Sequence, residues 1–401
     1  MLNIRTVEKL ALRFILRYAT PQPIYAFCDR HLLWLRGPKD DGARYRETKI
    51  MTLPKYTLAD LGWRSSFEIQ IDPAERQAVT PARVMEVHRN LIQIQGEDID
   101  LLIKPVHDIL DDEQTIATTG DWILLNAESN RPIKLLNRHS LFKRRAAGHD
   151  RKPQLLAANV DTVFIVSSCN QEFNLPRLER YLVIASEAGV MPVIVLTKAD
   201  LVGDAGTFVD QARDLQPGLV VEAVNALSAE ELECLKPWCS RGQTVALLGS
   251  SGVGKSTIAA TLSGEETIRT GESRLDDGKG RHTTTGRSLH QLPSGGWFID
   301  TPGMRELQLT DVSSGIDTVF SDITDIAAGC KFNDCAHESE PGCAINAAIE
   351  SGDLEQERLD RWRKLAKEQA HNTASLAQRR SKDKAFGKTV KSAVSQKHKK
   401  R

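Results

Sequence analysis

Between about residues 80 and 148 the chain alternates short apolar runs with Gly, Asn and Asp. The runs fall at residues 83–87, 91–95, 99–104, 121–125 and 133–136. Five strand-length segments separated by turn residues predict a small all-β module, for which an OB-type barrel is one option. From Val160 the texture changes. Residues 163–166, 193–196, 219–224, 245–248 and 297–299 are apolar, strand-length and rich in β-branched side chains. Between the first two, residues 175–188 carry apolar positions at helical spacing. Alternating β and α elements predict a parallel sheet with helices on both faces. Beyond about Leu307 a cysteine cluster precedes a charged helical stretch at residues 354–370. Residues 1–50 hold no usable motif; Met51 opens a new segment and offers an internal translation start.

Charge adds an asymmetry. Lys+Arg and Asp+Glu are equal at 53 each over 401 residues. Residues 378–401, however, carry ten Lys/Arg against the single acid Asp383. Such a tail suits polyanions and leaves the rest of the chain net acidic, so contact with nucleic acid is expected to be local. Lys143, Arg144 and Arg145 form a second basic cluster, either a solvated linker or an RNA contact. No run of about 18 apolar residues occurs, so no membrane span is expected. The apolar stretch 10–18 is broken by Arg13 and Arg17 and does not read as a signal peptide. Of seven cysteines, three cluster around a histidine, which points to metal and a reducing cytosol rather than to disulfides.

The segment Gly249-Ser250-Ser251-Gly252-Val253-Gly254-Lys255-Ser256, followed by Thr257, matches the phosphate-loop pattern without a gap. It follows a predicted strand and precedes a helical run at residues 258–262. Its glycines let backbone N–H groups curl around phosphates, and the helix N-terminus adds partial positive charge. Lys255 is placed to reach the β/γ-phosphates and Ser256 to ligate Mg²⁺. The loop alone does not choose between ATP and GTP. Thr197-Lys198-Ala199-Asp200 ends the strand at 193–196, where the Asp200 carboxylate can accept from the N1–H and amino group of guanine. Asn225 and Ala226 follow another strand, where a backbone N–H can meet the guanine carbonyl. Asp300-Thr301-Pro302-Gly303 suits an aspartate holding Mg²⁺ through water and a glycine N–H facing the γ-phosphate. A metabolic P-loop kinase or ATPase fits these last motifs poorly.

The order of the motifs is unusual. The base-reading segments precede the phosphate loop, and Asp300–Gly303 comes last; such a permutation requires the former termini to lie close together. With Gly280-Arg281-His282-Thr283-Thr284-Thr285 in between, this arrangement resembles the ribosome small-subunit-dependent GTPase A family over roughly residues 80–363. The resemblance implies a multidomain α/β protein: an OB-type β-barrel (80–148), a circularly permuted P-loop GTPase core with a parallel sheet (149–315) and a zinc-binding helical domain (316–375). A lead-in segment (51–79), the N-terminal extension (1–50) and the basic tail (376–401) complete the expected organisation. It also implies late maturation of the small ribosomal subunit, contact with rRNA, and GTP hydrolysis to GDP stimulated by that subunit, in a cytoplasmic monomer. A translation-cycle GTPase or an RNA-binding scaffold would carry many of the same parts. The sequence departs from the common GTPase pattern at Thr197, where asparagine is more usual.

Cys330, Cys335, His337 and Cys343 supply three thiolates and one imidazole within 14 residues. That is a full tetrahedral set for one structural Zn²⁺, contributing on the order of 10 kcal/mol to a segment poor in core residues. Met304 stands where many GTPases place a water-orienting glutamine, so the isolated enzyme is expected to be slow, roughly 10⁻⁴–10⁻² s⁻¹. His282 either orients the attacking water or packs or binds RNA. Thr284, with Thr285 as its rival, is the expected Mg²⁺ ligand from the same loop.

Overall fold

The computed structural model describes residues 24–28, 31–35, 49–52, 56–88, 90–107, 116–145, 153–264, 287–300 and 312–373. Two compact units are present, Met1–Tyr56 and Thr57–Arg401. The first holds an antiparallel three-stranded sheet, β1 (Ile24–Cys28), β2 (His31–Leu35) and β3 (Lys49–Thr52).

The second unit is organised by β11 (Thr162–Ser168), whose seven residues are all buried. It pairs in parallel with β12 (Met191–Thr197) on one side and β14 (Thr244–Gly249) on the other. A strand covered on both faces reads as a continuous apolar run, which is why 163–166 carried no alternation. Outside these lie β13 (Val220–Val224) and β16 (Trp297–Asp300), both parallel to their neighbours. Phe164, Val166, Val193, Val195 and Val245 pack with Ile258 of α4 (Lys255–Ser263) and with Leu232 and Leu235 of a 3₁₀ segment, Glu231–Cys239. Val163 and Ile165 alternate to the opposite face. α2 (Leu175–Glu187) connects β11 to β12 and buries Leu178, Leu182, Val183 and Ala185, and α3 (Gly206–Arg213) lies between β12 and β13. The predicted parallel sheet is therefore present, within two residues of the expected boundaries.

The β-module strands are found as well: β4 (Val79–Val87), β5 (Ile92–Gly96), β6 (Ile99–Ile103), β7 (Trp122–Asn126) and β8 (Pro132–Leu135), all antiparallel. Their core is Ala82, Val84, Ile92, Ile94, Ile123 and Leu125. Among the described residues β6 pairs with β5 and β8 with β7, and no ladder joins β6 to β8. The module instead continues the GTPase-type sheet. β15 (Arg287–Gln291) pairs antiparallel with β16 and with β4, giving one sheet of eleven strands. β15 escapes a hydrophobicity reading because Leu289 is its one buried side chain.

Three features of the joints have no counterpart among the sequence expectations. The basic cluster at 143–145 lies in a strand, β9 (Leu141–Arg145), paired with β10 (Pro153–Ala158). The segment before Val79 forms a short helix, α1 (Ser65–Glu68), beside a close backbone approach. At Gly62 (φ +87°) a Cβ would lie 2.6 Å from Gly242 O, and at Gly242 (φ +73°) one would lie 2.6 Å from Ala59 O. Only glycine fits either place. Arg83, buried on β4, donates to Leu61 O at 2.6 Å and to Thr244 Oγ1 at 2.7 Å, tying the lead-in, the β-module and β14 at one point.

After residue 312 come α5 (Ser313–Val319), α6 (Ser321–Ala327), α7 (Ala344–Ser351) and α8 (Gln356–Thr373). α5 packs on α2 so closely that a Cβ at Gly315 would lie 2.4 Å from Val183 O. α8 is fixed to α2 by charge: buried Glu179 accepts at Oε1 from Arg358 Nη1 (2.7 Å) and Arg361 Nε (2.8 Å), and Arg180 pairs with Glu368 (2.7 Å).

Candidate functional site

The phosphate loop leaves β14 at Gly249 and enters α4 at Lys255. Gly249 (φ +152°) runs against β11, where a Cβ would lie 2.3 Å from Val166 O. Gly252 and Gly254 are left-handed, at φ +76° and +96°. The loop thus curls as a phosphate cradle requires, at the C-terminal edge of a parallel sheet where α/β folds gather their ligands. The Lys255 ammonium rests on Ser250 O, within the loop it closes.

The Thr197–Asp200 segment meets this loop directly. Thr197, buried at the end of β12, donates from Oγ1 to Val253 O at 2.6 Å and lies 3.1 Å from Ser167 O. A hydroxyl therefore makes the link to the phosphate loop, which gives the departure from asparagine a physical basis. Lys198 is left-handed (φ 60°), and its Nζ donates to Gly252 O at 3.1 Å. That conformation aims the following 3₁₀ turn, Ala199–Leu201, outward, so Asp200 is exposed at the rim.

Asn225 and Ala226 join from β13. Asn225 Oδ1 accepts from Leu227 N (2.9 Å), its own N–H donates to Glu231 Oε2 (2.7 Å), and Ala226 O accepts from Thr261 Oγ1 of α4 (2.9 Å). The loop is thus hydrogen-bonded to Thr197 and Lys198, and the helix that follows it to Ala226, although the segments are far apart in sequence. Ser256 and Thr257 occupy the first turn of α4. Asp300 ends β16 beside the loop-bearing strand, while its side chain lies outside the described residues. His282, Thr284, Thr285, Gly303 and Met304 also lie outside them.

Comparison with known proteins decides the family. The RsgA GTPase family model matches residues 135–310. A protein of Vibrio parahaemolyticus, "Small ribosomal subunit biogenesis GTPase RsgA 2", is 48% identical over 344 residues, covering 85% of this chain and 94% of that one. The chain belongs to the RsgA GTPase family. As a member it is a GTP hydrolase. The similarly named "Small ribosomal subunit biogenesis GTPase RsgA" of Mesorhizobium japonicum is 48% identical over 330 residues, 81% of this chain and 93% of that one. Two solved structures share the fold. YjeQ from Thermotoga maritima aligns with TM-score 0.53 at 23% identity over 72% of this chain and 97% of its own. YloQ, described as a circularly permuted GTPase, gives 0.54 at 22% identity over 76% and 100%. The order of motifs in this chain is in keeping with the circularly permuted fold that it shares with YloQ.

The four candidate metal ligands converge. Cys330, Cys335, His337 and Cys343 bring their ligand atoms within 4.8 Å of one another. His337 Nδ1 lies 3.6 Å from both Cys330 Sγ and Cys343 Sγ, which are 4.0 Å apart. A tetrahedral zinc with ~2.3 Å bonds to sulfur needs edges of roughly 3.5–3.8 Å, close to the separations among Cys330, His337 and Cys343, so the set is compatible with that ion. The backbone bends to allow it, with His337 at φ 58° and Gly342 at φ 79°. α8 supports the site: Arg363 Nη2 donates to His337 O at 2.5 Å, and Trp362 packs near the imidazole. Burial pushes the Cys239 thiol up to about 12 and Cys169 upward too, which suits them to the core rather than to a metal.

Sequence reasoning missed the contacts that hold the loops together. Thr261, Glu231 and Arg177 (whose Nη1 donates to Ser250 Oγ at 2.8 Å) belong to no motif and become visible only through the fold.

Proposed function

We propose that this RsgA-family GTPase matures the small ribosomal subunit in the bacterial cytoplasm, binding rRNA and hydrolysing GTP when the subunit stimulates it. The similarity to relatives named for small-subunit biogenesis, extending over 85% of this chain at 48% identity, carries the reading. Asp200 and the Asn225–Ala226 backbone read guanine, with the stem of Lys198 beside the base. The loop from Gly249 to Thr257 cradles the phosphates. Ser256 and Thr284 hold Mg²⁺, Asp300 reaches it through water, and Gly303 faces the γ-phosphate. His282 is the residue assigned to the attacking water, since Met304 cannot orient it. Zn²⁺ held by Cys330, Cys335, His337 and Cys343 is structural, because four protein ligands leave no open position. The five antiparallel strands of the β-module act as an OB-type RNA-binding surface, and the basic tail adds electrostatic affinity. The protein acts as a monomer. No helix among the described residues is long and apolar enough to cross a membrane.

The test is phosphate release from GTP with purified small subunits, large subunits and assembled ribosomes. Small subunits should accelerate turnover by ~10³-fold or more, the range seen when a missing group is supplied or ordered. His282→Ala should bind GTP normally and lose most of that acceleration. Equal stimulation by large subunits would sink the assignment to small-subunit maturation. Undiminished stimulation of His282→Ala would remove this residue from the mechanism.

A further inference from the structure

We propose that Arg177 is a positioning residue of the phosphate loop, and that through α2 it couples nucleotide binding to the seating of the C-terminal helix α8. The proposal needs only guanine-nucleotide binding and stands apart from the ribosomal role.

The argument begins at the first turn of α2. Asn174 caps this helix, its side chain accepting from Arg177 N at 2.9 Å, and Pro176 stiffens the turn. Arg177 is therefore held at its backbone while its guanidinium reaches across to the phosphate loop. Its Nη1 donates to Ser250 Oγ at 2.8 Å; the other acceptor nearby, Glu172, is farther at 3.4 Å and half exposed. Ser250 is also the residue whose carbonyl carries the Lys255 ammonium. An ammonium carries three donors, so Lys255 can reach a phosphate whether it keeps or releases Ser250 O. In either case the Arg177 bond holds the Ser250 side chain in place, and a charged donor makes it one of the stronger single hydrogen bonds available.

The same turn of α2 is the seat of α8. Glu179 lies buried between Arg358 and Arg361, and Arg180 pairs with Glu368. Arg358 also donates to Val319 O and Leu215 O and lies over the Phe320 ring. Gly315 brings α5 against the α2 backbone. A shift of α2 that follows Ser250 must therefore be shared by α8, because close-packed elements move together rather than deform.

The test uses the full chain and a fluorescent guanine nucleotide. Arg177→Ala should weaken GTP and GDP binding by about five- to tenfold, and Arg177→Lys should recover part of the loss. Ser250→Ala should lose a similar amount, and the double variant should be no worse than either single one, because both remove the same bond. Hydrogen exchange of residues 356–373 should slow by about threefold when a non-hydrolysable GTP analogue binds the wild type. It should respond less in Arg177→Ala at saturating nucleotide. Wild-type affinity in Arg177→Ala would overturn the positioning role, as would losses that multiply in the double variant. Exchange in α8 that ignores nucleotide in the wild type would overturn the coupling.

Discussion

The two flanks of the GTPase core are joined to it by different physics. On the N-terminal side the joint rests on main chain, in the β4–β15 ladder, the glycine-on-glycine approach of Gly62 and Gly242, and carbonyl acceptors for Arg83 and Trp297, with the ion pairs Arg64–Asp161 and Arg241–Asp60 beside them. On the C-terminal side it is made mostly of charged side chains, with Glu179 between two arginines and Arg180 on Glu368. A hydrogen-bonded ladder fixes register, and a slip by one residue would turn every side chain to the wrong face. A buried charge cluster holds firmly while complete and fails sharply when one member is lost. The N-terminal module is thus an extension of the sheet, whereas the C-terminal helices are a docked body.

This contrast can be broken from either side. The largest effect is expected at the metal. Cys335→Ser should abolish zinc, measured by elemental analysis as one ion per chain in the wild type. It should also leave residues 316–373 open to protease while the sheet survives, since metal binding supplies on the order of 10 kcal/mol of local folding energy. Equal protease resistance without metal would show that the helices need no ion. Next comes Glu179→Ala, which removes the buried carboxylate shared by Arg358 and Arg361, leaves Arg358 only the half-exposed Asp322 as a counter-charge, and should cost about 3 kcal/mol in urea denaturation. Arg83→Met on the other flank should cost less, about 1–3 kcal/mol. It leaves Leu61 O and Thr244 Oγ1 without their donor but also removes a cation that burial already disfavours, holding it down at about 10. A reversed ranking of these two variants would refute the distinction between the joints.

The smallest effect is at Asp60 in the lead-in. Hydrogen bonds from Arg241 and then Thr57 hold its carboxyl down at about 2. A carboxyl depressed in the fold stabilises above its ordinary value near 3.8 and loses that contribution as pH falls through about 2. Asp60→Asn should therefore be less stable than wild type at pH 6, with the gap closing between pH 4 and pH 2. Water around this exposed pair keeps the gap small. A gap that does not change with pH would assign the loss to packing.

What could be read from the sequence was whatever lay in contiguous residues. The phosphate loop is eight residues in a row, and the four metal ligands span 14. Their chemistry is set by local spacing, which survives any change in chain order. The parallel strands were readable because burial on both faces leaves unbroken apolar runs. β15 was not, since it is half exposed and held by its neighbours rather than by its own hydrophobicity. The joints were hidden for a related reason: Arg83, Glu179 and Gly242 look ordinary in sequence and acquire a role only from partners tens to hundreds of residues away. Thr197 lies between these cases. Its place in the motif was legible, but the reason a hydroxyl suffices is the carbonyl of Val253, 2.6 Å distant.

The claim beneath all of this is that segments permuted in sequence still build a single guanine site, with Asp200 at its rim reading the base. Asp200→Asn tests it most directly. The amide can donate where the carboxylate accepted, so the variant should lose GTP by ~10²-fold or more and bind xanthosine triphosphate in its place, since a site built to hydrogen-bond one base rejects another that leaves its polar groups unpaired. Both affinities are measured by competition against a fluorescent nucleotide. Unchanged GTP affinity in Asp200→Asn, with no gain for xanthine, would contradict the account.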